Sequence, residues 1–130
     1  GGIDFIAVDN STFRVNEAQV AFVRAILEEG RPSVLLYHIP LSLPTLREDA
    51  IAAVGHNLMA DPDWHPAHEW WDPQANAAFV ELLCRAPNLV ATFCGHIHIP
   101  HADTLSPTAI QYVGPPGFED YGRMVEFRPW

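Results

Sequence analysis

Leu89 to His98 reads LVATFCGHIH, a run of apolar residues that breaks into a glycine and two histidines set two apart. Such a short apolar run, arriving just after Pro87 and ending in a turn residue, predicts a buried strand over Leu89 to Cys94. Two other stretches have the same form. Ile3 to Val8 runs into Asp9, Asn10 and Ser11, and Ser33 to Tyr37 (SVLLY) runs into His38 and Pro40.

Helical periodicity fills the gaps. In NEAQVAFVRAILEEG, Asn16 fits an N-cap with Gln19 three residues on, Gly30 fits the C-terminal cap, and Pro32 blocks continuation. At the helical period Val20, Phe22, Val23, Ile26 and Leu27 fall within an arc of about 160°, with Glu17, Arg24 and Glu28 opposite. A second helix begins with Asp72 as N-cap and Pro73 at its first position. It carries Ala75, Ala78, Phe79, Leu82, Leu83 and Ala86 on one face. Between them Pro44, Gly55, Pro62 and Pro66 break any long element; Leu46 to Val54 suits a helix, and DPDWHPAHEWWDP reads as an ordered loop. The tail predicts two short strands, near Ala109 to Val113 and Arg123 to Phe127, separated by the turn-rich GPPGFEDYG. Strand, helix, strand, helix, strand is the order of an α/β domain, a parallel or mixed sheet with covering helices, and residues 1–130 read as a single domain.

Composition narrows the partners. The 130 residues are 48% hydrophobic and 18% charged, ordinary for a globular domain, and the net charge is -9. With seven Arg, no Lys and no Arg cluster, the chain is expected to bind neither a nucleic-acid backbone nor an anionic membrane surface. No apolar stretch approaches the roughly 18 residues of a membrane span. Cys84 and Cys94 sit in apolar periodic segments, where reduced, buried thiols are expected; they leave the compartment open. The first residues, GGIDFIAVDN, start on a strand with no leading methionine, which reads as a chain cut from a longer one.

Ligands bind open α/β sheets outside the carboxyl ends of the strands. If the three strands run parallel, Asp9-Asn10, His38 and Gly95-His96-Ile97-His98 all fall on one edge. Extended residues two apart share a face, so His96 and His98 are expected to present their imidazoles together, with Gly95 taking the tight turn. Neutral imidazole is a common ligand of zinc, iron and manganese. For Gly-His-x-His alone, metal ligation and ordinary hydrogen-bonded histidines both stay open.

Tyr37-His38-Ile39-Pro40-Leu41 followed by VATFCGHIHIP at Val90 to Pro100 resembles the C-terminal half of the calcineurin-like metallophosphoesterases. That family has a strand-end His followed by a Pro, then a strand-end Gly-His-x-His, and FIAVDNS resembles the strand after its Asn-His motif. The resemblance implies half of a four-layer α/β/β/α sandwich. It also implies a metal-dependent phosphoesterase, hydrolysing a phosphodiester or phosphomonoester with a hydroxide bridging two divalent metals (Mn, Fe or Zn). Carried over, His38 and His96 would ligate one metal and His98 the other. The family's Asp-x-His, Gly-Asp and Gly-Asn-His motifs are absent. The resemblance therefore implies an incomplete site holding at most one metal, with those motifs upstream, and a sheet face left open to self-association. The alternative is a non-catalytic metal-binding or structural domain.

Other candidates stay two-sided. His56, His65, His68 and His101, read as loop residues, are solvated or touch a ligand. Trp64, Trp70 and Trp71 line a pocket or pin a loop to the core. Asp9 and Asn10 support the metal site from behind or make an Asx turn. The segment IQYVGPPGFEDYG forms a pocket wall or plain turns.

Overall fold

The computed structural model describes residues 2–64 and 73–128. In chain order these form β1 (Asp4–Val8), α1 (Glu17–Glu28), β2 (Ser33–Tyr37), α2 (Pro44–Val54), α3 (Pro73–Arg85), β3 (Leu89–Cys94), β4 (His101–Thr104) and β5 (Ile110–Val113), followed by a 3-10 turn at Gly117–Glu119. The sheet order is β1-β2-β3-β5-β4, with β1, β2, β3 and β5 parallel and β4 antiparallel to β5 at the edge. The fold is α/β with a mixed five-stranded sheet, as the alternating periodicity predicts.

Local signals account for the helices. Asn16 closes a capping box with Gln19: each side chain takes the other's backbone N–H, at 2.9 Å both ways. Gly30 follows the C-cap of α1 with a φ of 78°, the left-handed position that glycine occupies without strain. Pro44 and Pro73 start α2 and α3, where a missing N–H costs nothing.

The register sorts the sheet into two faces. Ile6, Leu35, Thr92 and Gln111 form one row across β1, β2, β3 and β5; Phe5, Val34, Ala91 and Ile110 form the next, pointing the other way. The first face is covered. Val20, Val23 and Leu27 of α1 and Ala75, Phe79 and Leu83 of α3 bury Ile6, Val8, Leu35 and Tyr37 in the main core. A smaller cluster joins Leu46 and Ala50 of α2 to Leu58, Ile97 and Val113. The outer face carries Phe5, Leu36 and Ile110, which stay 59%, 39% and 39% exposed.

One strand expectation is corrected and one strand was not foreseen. Arg123 to Phe127 is not a strand. Its alternation is real, but the segment lies over the outer face, with Phe127 edge-on to Phe5 at 5.7 Å and Arg123 over the Tyr112 ring at 4.9 Å. Conversely, β4 (HADT) escapes sequence reading because it is short and carries Ala102 and Asp103, both poor strand formers, at its centre; only its pairing with β5 makes it a strand.

Candidate functional site

β1, β2 and β3 run parallel, so their polar endings do share one edge. There the segment leaving β2 is gripped by two buried carboxamides. Asn10 accepts from the His38 and Ile39 N–H groups at 2.9 Å each, and donates to the Ile39 carbonyl at 2.7 Å and the Met59 sulfur at 3.2 Å. Gln111 accepts from the Leu41 N–H at 2.9 Å and donates to the Leu41 carbonyl at 3.1 Å, while the Tyr37 hydroxyl donates to it at 2.5 Å. Each amide acts as a backbone rung where Pro40, lacking an N–H, interrupts any ladder.

β3 ends differently. The Gly95 N–H donates to the His38 carbonyl at 3.0 Å, tying the two strand ends, and the Ile97 N–H donates to the Gly95 carbonyl at 2.8 Å. That is a three-residue turn centred on His96, whose φ is 68°; His98 follows at 57°. Turns of this hand are rare and strained. Phe13 and Ala60 are also left-handed, at 62° and 58°. The Phe13 ring meets His96 at 5.3 Å and Trp64 at 5.0 Å, and Ala60 follows the Met59 that receives Asn10. Strained non-glycine backbone concentrates at ligand sites, where the surroundings over-determine it.

These turns correct the expected geometry. His96 and His98 are not extended, so the two-residue spacing does not set them on one face. Gly95 has no positive φ, and a Cβ on it would meet nothing within 4 Å; His96 itself takes the turn. The histidines brought together are His38 and His96, with Nε2 of the first 3.2 Å from Nδ1 of the second. His98 packs edge-on against Phe118 at 5.1 Å. Burial holds the His96 pKa below the usual histidine value, and the neighbouring His38 and His98 lower it further.

The His38–His96 separation suits two ligands of one metal. Nitrogens about 2.0–2.1 Å from a zinc ion stand roughly 2.8–3.0 Å apart at a right angle and roughly 3.3–3.4 Å apart at the tetrahedral angle. Among the described residues no group of three or more His, Cys, Asp or Glu side chains is arranged to hold a metal. What the described residues bring together here is one pair of imidazole nitrogens.

Asn10 is therefore the buried support of the site, while Asp9 makes the turn. The Ser11 N–H donates to Asp9 at 2.9 Å, and this bond chiefly lowers the Asp9 pKa, with the Ser11 hydroxyl and the nearby His38 adding to it. His56 lies away from the pair, its Nδ1 3.0 Å from the buried Asp61 carboxylate, which also takes Arg47. His101 is not a loop residue. It opens β4 and stands 3.0 Å from Asp49, beside Asp103, whose carboxylate accepts from the Leu46 N–H at the start of α2. Trp64 is half-buried against Phe13. His65, His68, Trp70 and Trp71 lie outside the described residues. Sequence reading missed Gln111 and Phe13. A lone amide inside the apolar AIQYV was the available signal for the first; nothing local flags the second.

No family model matches the chain, and no curated protein matches it.

Proposed function

We propose that this chain is the C-terminal half of a metal-dependent phosphoesterase of the calcineurin-like kind, with His38 and His96 as ligands of one divalent metal (Mn, Fe or Zn) and His98 as a ligand of a second. The observation that carries the reading is the 3.2 Å approach of the two imidazoles at the edge where β1, β2 and β3 end together. When bound, the metal supplies Lewis acidity toward a phosphoryl oxygen and toward water. The chain's own part is to hold His38 through Asn10 and His96 through its turn, and to keep His96 neutral near pH 7.

The outer sheet face supports the four-layer architecture. One face carries helices, while the other offers Phe5, Leu36 and Ile110 to a second sheet, which a preceding segment would supply with the bridging carboxylate and the leaving-group histidine. Isolated copies would associate through that face. The substrate is a small phosphate ester, and neither nucleic acid nor membrane is a partner. A non-catalytic metal-binding or structural domain is the competing reading.

Elemental analysis and calorimetry with zinc or manganese separate the two. The chain is expected to bind at most one metal and to lose it on His38→Ala or His96→Ala. A longer chain carrying Asp-x-His, Gly-Asp and Gly-Asn-His is expected to hydrolyse bis-p-nitrophenyl phosphate or p-nitrophenyl phosphate, which the short chain leaves essentially untouched. Metal binding indifferent to both substitutions sinks the assignment.

A further inference from the structure

The helix α2 is anchored chiefly at its start. Leu46 and Ala50 are its buried residues, while Ile51 and Val54 further along stay exposed. Its N-cap is Leu43, whose side chain makes no capping bond. The cap comes from β4 instead: the Asp103 carboxylate accepts from the Leu46 N–H at 3.2 Å and from the Thr45 hydroxyl at 2.8 Å. The largely buried His101 ring stands between the two elements. Its Nδ1 lies 3.0 Å from the Asp49 carboxylate, and its Nε2 lies 3.3 Å from Thr45 Oγ1 and 3.7 Å from Asp103. Counting hydrogens decides what the ring carries. A carboxylate has none to give, so the single Thr45 hydrogen goes to Asp103, and the Thr45 oxygen can only accept from Nε2. Nδ1 faces a second carboxylate and donates as well. A neutral imidazole has one N–H, so two donors make this ring an imidazolium. The charged groups facing it are Asp49 of α2 and Asp103 of β4, both anionic.

That charge reaches the candidate site through packing. Leu46 and Ala50 of α2 share a small core with Leu58, Val113 and the buried Ile97, which sits between His96 and His98. The Ile97 N–H also closes the turn that carries His96. We propose that His101 is a positioning residue, an imidazolium clasp that holds α2 down on Ile97, fixes the turn presenting His96 and His98, and opens when the ring gives up a proton. The clasp rests on no reading of function; only its effect on a bound metal rests on the metal assignment above.

NMR of the zinc-free, 15N-labelled chain, taken from about pH 5 to about pH 9, makes the test. Ring-nitrogen spectra are expected to show His101 protonated on both nitrogens at the acid end, and the Thr45 and Ile97 amides to shift as the second proton leaves. Asp49→Asn is the deciding variant, because it removes one charge from a mostly exposed side chain and leaves the core alone. It should move the His101 transition and the linked part of the Ile97 response together toward lower pH. The part that Ile97 owes to its neighbours His96 and His98 stays in place. His101→Gln, which cannot change charge, should abolish the linked part. A ring carrying one proton throughout overturns the clasp, as does an Ile97 response that both variants leave unmoved. Zinc then reports on the site. At a pH where the wild-type ring is charged and that of Asp49→Asn is not, the variant is expected to bind zinc about fivefold more weakly, a small coupling between sites. Equal affinities would overturn the hold of His101 on the histidines. A wild type that binds no zinc would sink the metal assignment, and the Ile97 result alone would then decide the clasp.

Discussion

The carboxyl edge of the sheet and its outer face are built to different standards. At the edge, two fully buried carboxamides bind backbone groups of His38, Ile39 and Leu41, and the ends of β2 and β3 are bonded to each other. Across the outer face, Phe5 and Leu36 lie open, and the covering segment leaves Met124 99% exposed. This chain thus specifies the geometry at His38 by itself, whereas its outer face leaves Phe5, Leu36 and Ile110 partly open.

The contrast breaks most directly at Asn10. Asn10→Ala strands the His38 and Ile39 N–H groups and the Ile39 carbonyl, and is expected to cost about 3 kcal/mol or more in urea unfolding. A loss below about 1 kcal/mol would mean that the edge is no better determined than the face.

Acid sharpens the comparison next. The folded-state pKa of His96 lies below its unfolded value, so the unfolded chain takes up the proton first. The stability tied to a neutral His96 is present above the reference value of about 6.5 and is lost as pH falls through the lowered folded pKa. Denaturation midpoints measured downward from pH 7 should fall in the wild type and fall less in His96→Gln, and NMR titration should find His96 protonating below the ordinary histidine value. An unchanged pH slope in the variant would place the imidazole in water.

The smallest effect is expected on the outer face. Phe127→Ala removes a contact that Phe127 makes to Phe5 while the two stay 39% and 59% exposed, so stability should change by less than about 0.5 kcal/mol. The light-scattering mass should rise with concentration more steeply than in the wild type, because the variant uncovers Phe5. A large loss of stability would show that the segment from Arg123 to Phe127 is part of the core.

Much of the sheet was legible because its strands are short apolar runs closed by turn residues. Ser33–Tyr37 and Leu89–Cys94 match the reading residue for residue, and the Asn16 cap of α1 is where the capping-box pattern puts it. The site was legible as a place and not as a geometry. Which strands share an edge follows from topology, but the meeting of His38 with His96, rather than of His96 with His98, follows from a left-handed turn that no residue type at that position announces. β4 was hidden for a related reason, since its identity as a strand lies in its neighbour. Arg123 to Phe127 shows the opposite failure, an alternating pattern without an edge to join.

The two amides that grip the β2 exit differ in when they can arrive. Asn10 meets Ile39 across 29 residues of chain, but Gln111 reaches Leu41 across 70. A nascent chain can set the His38 side of the loop while β3 is still unmade. The Leu41 side has to wait for β5, so until Gln111 is made the exit of β2 is anchored on one side only. Any chaperone that shelters this chain before β5 is made would find the Leu41 N–H and carbonyl still without their Gln111 partner.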